Sequence, residues 1–431
     1  MAHDNQGPNR ARRAFLQAGA TGSLLLAACG GNTGPANVAN APVPPGNTNE
    51  PPADTGPKAQ HGEPPTAGLV YGTLLCGGSQ LNAETGEKRY IFTQLNLDQA
   101  VRDKGARQKL ITDIGFLAHG VIANPFAANR VLVFEKKGPG GAEIDLKRNE
   151  IIGRIRPSPG CEFYGHGAYS TDGTLVYATE YDKETYVGRM SVRRADDFSV
   201  IGDFPTHGEW PHDCQFLDGG KIVAVTNGGG SIDGGAEPNV AYVEVATGKL
   251  LEKVAWPDNP LINAGHLLVT PGGDLVVAHA MREGLDTRSA LGALSIRPTG
   301  GELATMASPA PVVSAMLGET LSLAYHEKSG LLAATNPYGR DSRTQDGSAK
   351  GLLTFWDVKA RKFREVIGGE DIPQPRGVAV TMDGTYFVVT GGSDRPGVIL
   401  LRTDTLKPES DMPPFEASTQ GSHAYIHPYW S

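Results

Sequence analysis

An all-β fold assembled from repeated short strands is what this sequence predicts, and three observations carry that reading. First, 56 Gly and 31 Pro in 431 residues make up about a fifth of the chain, against roughly 12% in average usage. Both residues interrupt helices, which argues against long-helix and coiled-coil architectures and for many tight turns. Second, short apolar runs alternate with Asp-Gly and Pro-Gly pairs; Asp-Gly between two such runs is a strong short-range signal of a β-hairpin. Third, from residue 67 onward one pattern recurs at intervals of 46 to 55 residues. The absence of a Gly-X-Y period excludes collagen, and 39% hydrophobic residues are enough to build a core.

Residues 11–17 read Ala-Arg-Arg-Ala-Phe-Leu-Gln, and a weakly apolar stretch from Ala18 to Ala28 follows. The pair Arg12-Arg13, the short apolar region and the small residues after it resemble a bacterial twin-arginine export signal. Leu26-Ala27-Ala28-Cys29 matches the bacterial lipoprotein box, in which the cysteine becomes the lipidated first residue of the mature chain. Residues 1–29 are therefore expected to be a twin-arginine lipoprotein signal peptide, too short to remain as a membrane-spanning helix. An ordinary signal peptide with a coincidental cysteine is the plainer alternative. Residues 30–66 hold Gly, Asn, Pro, Thr and Ala with almost no large apolar side chain. They are expected to form a disordered tether that holds the rest of the chain away from a membrane. The setting this implies is periplasmic, lipid-anchored and oxidising.

The repeat opens at His119-Gly120-Val121 and returns at His166-Gly167-Ala168, His212-Asp213-Cys214, His266-Leu267-Leu268, Leu321-Ser322-Leu323, Arg376-Gly377-Val378 and His423-Ala424-Tyr425. Each of the first six anchors leads a short strand that turns, as at Asp172-Gly173 or Asp383-Gly384, into a more apolar strand such as Ile222-Val223-Ala224-Val225. A third strand, such as Val240–Val245 or Leu352–Val358, turns at Ala246-Thr247-Gly248-Lys249 or Lys359-Ala360-Arg361-Lys362 into a fourth. Periods of about 40–50 residues with several strands each are the signature of propeller blades. The seventh copy, at His423, has no strands after it before Ser431, and the strand Leu69–Leu75 has no anchor before it. The two fit one blade. Six internal blades plus one shared blade give a seven-bladed β-propeller over residues 67–431. It is closed by pairing of the C-terminal inner strand with N-terminal strands, which leaves no open sheet edge.

The segments Tyr164-Gly165-His166-Gly167-Ala168-Tyr169-Ser170-Thr171-Asp172-Gly173 and Pro375-Arg376-Gly377-Val378-Ala379-Val380 resemble exported bacterial seven-bladed propellers of the YVTN/WD40-like kind. More narrowly, Phe163 to Glu180, together with Trp210-Pro211-His212 and Thr226-Asn227-Gly228-Gly229, is similar to a domain family of unknown function. The resemblance covers residues 67–431. It implies a twin-arginine-exported propeller, often associated with imelysin-type periplasmic iron-uptake components, and implies little about activity.

Five of the seven anchors are histidine: His119, His166, His212, His266 and His423. In a propeller the innermost strands line a central channel, so equivalent positions meet at equal height at one channel mouth. Leu321 and Arg376 take the other two positions. Imidazole suits zinc, copper, iron and nickel; iron or copper is the cofactor considered, and His rings that hold copper in other propellers supply a fold-level analogy. Arg376, Glu162 and Asp213 are candidates for a ligand site at the same mouth, with Cys214, His207 and His427 as further donors. Asp213, beside His212, is placed either to orient a neighbouring imidazole or simply to cap a turn. The competing reading is the structural Gly-His of WD-type repeats, in which each His bonds within its own blade. Gly165-His166 and Gly265-His266 fit it, whereas His119 and His423 have no preceding Gly. A wide channel would also hold the imidazoles too far apart for one ion, because His–metal bonds are only about 2.0–2.1 Å.

Other signals are weaker. Glu180, Asp182 and Glu184 read as a solvated loop before they read as a cation site. With Cys29 lipidated, Cys76, Cys161 and Cys214 remain, and Cys161–Cys214 is a disulfide that oxidising surroundings would permit. The chain has no Gly-x-Ser-x-Gly elbow, Walker loop, haem-attachment motif or His-Glu-x-x-His helix. A net charge of −8 and the lack of a basic run beyond the N-terminus exclude a nucleic-acid footprint. The reading favoured is a membrane-tethered propeller that binds a ligand or periplasmic partner, a transition metal first, at a His-lined channel mouth. One alternative is a periplasmic enzyme, a lactonase-like hydrolase or an oxidoreductase, with Glu162, Asp213 or Glu319 in the channel. Another is a protein-interaction scaffold.

Overall fold

The computed structural model describes residues 62–82, 84–105, 107–256, 259–286, 290–340, 351–368, 371–372, 374–392, 397–409 and 423–431. The expected signal peptide, with Arg12, Arg13 and Cys29, and most of the expected tether lie outside the described residues. Residues 62–66, counted with the tether from composition, bond to the folded body. The Glu63 N–H donates to Asn129 Oδ1 at 2.8 Å, and the Thr66 N–H donates to the Pro428 carbonyl at 2.8 Å.

The chain is all-β and folds as successive antiparallel sheets. The first sheet contains β1 (Thr73–Leu81), β2 (Lys88–Asn96) and β3 (Gln108–Thr112), with the short helix α1 (Leu97–Asp103) between β2 and β3. Next come the meanders β4 (Ala118–Ala123), β5 (Arg130–Gly138), β6 (Gly141–Asp145), β7 (Glu150–Ile155) and β8 (Cys161–Tyr169), β9 (Leu175–Asp182), β10 (Val187–Arg194), β11 (Val200–Glu209). A short β5–β8 pairing, Lys136↔Tyr164 and Gly138↔Phe163, joins these two. The following sheets are β12 (Pro211–Leu217), β13 (Ile222–Asn227), β14 (Asn239–Glu244), β15 (Lys249–Ala255), and β16 (Leu267–Val269), β17 (Leu275–His279), β18 (Ala293–Arg297), β19 (Ala304–Thr305). After them come β20 (Leu323–His326), β21 (Leu331–Asn336), β22 (Leu352–Asp357), β23 (Lys362–Gly368), and β24 (Gly377–Val380), β25 (Tyr386–Thr390), β26 (Val398–Arg402). The last strand, β27 (Tyr425–His427), returns to the first sheet and pairs antiparallel with β1 in the register Thr73↔His427, Leu74↔Ile426, Leu75↔Tyr425. That is the joining of chain ends expected from the split repeat.

Consecutive sheets pack face to face. Leu132, Phe134, Phe163, Val176 and Ala178 form one core between the β4–β7 and β8–β11 meanders. Tyr177, Met190, Val223, Val225 and Val243 form the next, and Val240, Leu267, Leu275 and Val277 the one after it. The series continues through Leu294, Leu332 and Trp356, then Phe355, Phe387 and Val389. Leu74, Leu95, Val388 and Leu400 carry it from β25 and β26 onto the first sheet, and Leu75, Phe92, Val131 and Val133 close it onto β5. The middle strands are covered on both faces, which is why they read as continuous apolar runs rather than as alternating ones. Each fully buried Leu, Val or Phe contributes about 1.5–3 kcal/mol.

Sheet packing also buries polar side chains at the ends of the second strands. His279, at the end of β17, is fully buried. Its Nδ1–H donates to the Asn263 carbonyl, and its Nε2 lies 2.8 Å from Ser295 Oγ. Burial pushes its basicity down to about 4, and the bond to Asn263 opposes this only in part. Below the ordinary imidazole value of 6.5 the unfolded chain takes up a proton that the native site refuses. The stability His279 provides is therefore complete above pH 6.5, falls as the pH drops from 6.5 to 4, and changes no further below that. The expected loss is about 3 kcal/mol at pH 4. Urea midpoints of the wild type and His279→Gln at pH 7.5 and pH 4 check this: the wild type should lose more stability than the variant, and parallel losses refute it.

The Cys161–Cys214 pairing that oxidising surroundings would permit is not formed, and Cys76, Cys161 and Cys214 are all free thiols. Cys161 stands opposite Asp182 in one sheet and Cys214 opposite Val225 in the next, where Cys214 packs into the apolar core between them.

Candidate metal centre

The anchor residues fall at one repeated position, and hydrogen bonds to a repeated threonine fix that position. The residue after each of three anchors donates its N–H to a Thr hydroxyl at the end of the second strand: Asp213 to Thr226, Ser322 to Thr335 and Gly377 to Thr390, at 2.9–3.0 Å. Two of these hydroxyls donate onward, Thr226 to the Gly265 carbonyl at 2.6 Å and Thr335 to the Arg376 carbonyl at 2.8 Å, and Thr179, at the same place in β9, donates to the carbonyls of His166 and His212 at 3.1 and 3.2 Å. Thr179 and Thr335 thereby hold the anchor of the following sheet, and Thr226 the residue before it. Sequence reading missed these threonines. Their signal was available, because Ala178-Thr179, Val225-Thr226, Ala334-Thr335 and Val389-Thr390 recur at the repeat period.

The five imidazoles converge. His119 Nε2 lies 3.3 Å from His212 Nε2, 3.3 Å from His266 Nε2 and 3.2 Å from His423 Nε2, and His212 and His266 Nε2 are 2.9 Å apart. His119, His166, His266 and His423 each offer a ligand atom, and these atoms all lie within 4.8 Å of one another. His119, His212 and His266 are buried, whereas His166 and His423 are partly exposed. Metal–imidazole bonds of 2.0–2.1 Å give ligand–ligand edges of about 3.3–3.4 Å in a tetrahedron and about 2.8–3.0 Å at right angles. The 2.9–3.3 Å separations match such edges, so these imidazoles stand close enough for neighbouring ones to share an ion.

Two of the tautomers are set by their partners. His212 Nδ1 faces the Tyr164 carbonyl at 3.0 Å, and a carbonyl only accepts, so Nδ1 carries the proton and Nε2 keeps its lone pair. His166 Nδ1 faces Asp213 Oδ1 at 3.0 Å, which again leaves Nε2 unprotonated. That Nε2 is buried and has no protein partner. Asp213 is itself held, because its Oδ2 accepts the Leu267 N–H at 3.0 Å. An imidazole held by a carboxylate with its second nitrogen free is the arrangement by which metal-binding histidines are oriented. It also departs from the structural Gly-His reading, because His166 bonds to the next sheet rather than within its own. Gly165 shapes the same corner. It sits at φ +97°, and a Cβ there would stand 2.5 Å from His119 Cδ2. Burial holds His119, His212, His266 and His423 well below the ordinary imidazole value, and nearby Lys136 adds to this in each.

The remaining candidates divide. Asp213 joins the centre through His166. Arg376 occupies an anchor position, and its Nη2 lies 3.8 Å from Glu319 Oε1. Glu162 does not join the cluster; it accepts the Tyr181 hydroxyl. His207 Nε2 bonds the Gly248 carbonyl at 2.9 Å, and His427 bonds the Ala128 carbonyl, so neither contributes to the cluster. Of the acids read as a solvated loop, Asp182 caps its turn by accepting the Glu184 and Thr185 N–H groups. Glu180 is instead fully buried in an ion pair with Arg193.

Among solved structures the chain is similar to hydrazine synthase of Kuenenia stuttgartiensis, with a TM-score of 0.55 and 13% identity over 81% of this chain and 99% of that one. At that identity the likeness shows the fold alone, a β-propeller-like all-β arrangement. No curated protein matches the chain in sequence. Residues 113–414 match the family described as "Protein of unknown function (DUF1513)". That match spans more than half of the chain, which therefore belongs to the DUF1513 family.

Proposed function

We propose that the protein is an exported, membrane-tethered seven-bladed β-propeller that binds a transition-metal ion at the His-lined mouth of its channel. One observation carries the metal reading: His119 Nε2 lies 3.2–3.3 Å from the Nε2 atoms of His212, His266 and His423, beside a His166 Nε2 that is buried without a partner, and His119, His166, His266 and His423 offer ligand atoms within 4.8 Å of one another. Imidazole nitrogens at these separations either share N–H···N hydrogen bonds or face a common cation; His166 Nε2 has no such partner, and a buried polar atom left unsatisfied costs about 1–3 kcal/mol, which a metal ion would remove. The donor set is neutral nitrogen with no thiolate. Such a set binds copper most tightly among the divalent first-row metals, which ranks copper ahead of iron. The blade count is supported by the cyclic order in which the sheets pack and by the β27–β1 pairing.

Metal analysis of the natively purified protein, beside the His166→Ala/His212→Ala variant, tests the reading. One equivalent of metal is expected in the wild type and little in the variant; equal content in both, or none in the wild type, removes it. Export and anchoring rest on Arg12-Arg13 and Cys29. In a bacterial host, Cys29→Ser is expected to move the protein from the membrane fraction to the soluble fraction, and Arg12→Lys/Arg13→Lys to retain it in the cytoplasm. Membrane retention of Cys29→Ser would refute the lipid anchor.

A further inference from the structure

The histidine ring has a gap. Ser322 and Gly377 make the same bonds to Thr335 and Thr390 that Asp213 makes to Thr226, so Leu321 and Arg376 stand where the other sheets present histidine. The Arg376 carbonyl accepts the Thr335 hydroxyl just as the His212 carbonyl accepts that of Thr179. Leu321 is 1% exposed and offers no donor atom. The group that can share one ion has four imidazoles, His119, His166, His266 and His423, with His212 beside them; on this side such an ion lacks a protein ligand, which leaves a coordination position open. Metals that act on exogenous ligands keep such a position.

The charge on that side is unusual for a metal site. The Arg376 guanidinium is about a quarter exposed, and its ion pair with Glu319 spans 3.8 Å, longer than a hydrogen bond. Lys136, opposite Tyr164 in the β5–β8 pairing, is a second cation near the imidazoles. Asp213 and Glu319 offset the charges of Lys136 and Arg376, so a divalent ion among neutral imidazoles keeps its own positive charge, which an entering anion balances. A guanidinium also presents parallel N–H donors that match the two oxygens of a planar anion.

We propose that a small carboxylate or inorganic oxyanion binds in this gap, with one oxygen on the metal and another on the Arg376 guanidinium, which turns to it from Glu319. This rests on the metal reading above.

The test uses the full chain loaded with copper(II) and azide as the probe, its affinity read from the azide-to-copper absorption band. In Arg376→Gln the azide dissociation constant is expected to rise at least tenfold with copper content unchanged. Arg376→Lys should fall between, because an ammonium keeps the charge without the fork. Glu319→Gln, which removes the competing carboxylate, should tighten azide. Acetate and nitrite are then added as competitors: displacement by acetate marks a carboxylate ligand, and displacement by nitrite alone an inorganic oxyanion. Equal azide affinity in wild type and Arg376→Gln, or displacement by neither competitor, overturns the anion site while the metal site stands. A wild type that takes up no copper overturns both.

Discussion

His212→Ala is expected to weaken copper binding by more than a hundredfold in competition with a chelator of known affinity, and Asp213→Asn by ten- to a hundredfold. The larger figure follows from what His212 touches. Its Nε2 lies within 3.3 Å of two other imidazole nitrogens, and its Nδ1–H is committed to the Tyr164 carbonyl, so it presents one fixed lone pair to the centre. Removing it deletes a fixed donor and leaves a hole beside His119 and His266. The Asp213 effect is indirect. Its carboxylate holds the His166 tautomer and accepts the Leu267 N–H. An asparagine keeps one acceptor but turns an N–H₂ toward one of those two donors. Loss of a partner that orients a metal-binding histidine costs about 10–100-fold in affinity. Both variants need thermal unfolding of the metal-free protein beside the titration. If unfolding stays within a few degrees of wild type and copper affinity is also unchanged in His212→Ala, the cluster is not the copper site.

The parts of this site that were legible in the sequence are those that the repeat marks. His119, His166, His212, His266 and His423 share a position relative to the turns, and a repeat in sequence puts them at the same end of successive sheets. Asp213 was legible because it sits beside an anchor. What the repeat leaves open is whether equivalent positions come within bonding distance. That distance depends on the packing of every sheet against the next, and no local pattern records it. Glu162 shows the opposite failure. It is near the anchors in sequence, yet it stands four residues before His166 along β8, directly opposite Tyr181, and its carboxylate takes that hydroxyl. Glu180 was misjudged for a related reason. An acid near Asp182 and Glu184 reads as surface, but it ends a strand covered on both faces, at the place where Asn227 and Asn336 are also buried. The thiols at 161 and 214 were assigned to neighbouring blades from spacing alone, and adjacency of sheets does not set the approach of two side chains.

The largest stability effect is expected at that Glu180–Arg193 pair. Both side chains are essentially inaccessible, at 0% and 2% exposure. Arg193 satisfies its remaining donors on Ser191 Oγ and the Phe198 carbonyl and lies over the Phe163 ring, while the second oxygen of Glu180 accepts the Ser158 N–H at 3.1 Å. Two charges removed from water gain little net stability from each other, yet removing one strands its partner, at about 3–5 kcal/mol. Arg193→Met should therefore destabilise by about that amount, and so should Glu180→Gln, which leaves the guanidinium unpaired. The double variant Glu180→Gln/Arg193→Met carries neither charge, and its amide oxygen can still accept the Ser158 N–H. It should recover most of the loss, so a double-mutant cycle read by denaturant unfolding should give a coupling well above the 0.5 kcal/mol at which independent sites add. If the two single losses simply add, the charges are solvated in the native state and the pair does not act as a unit.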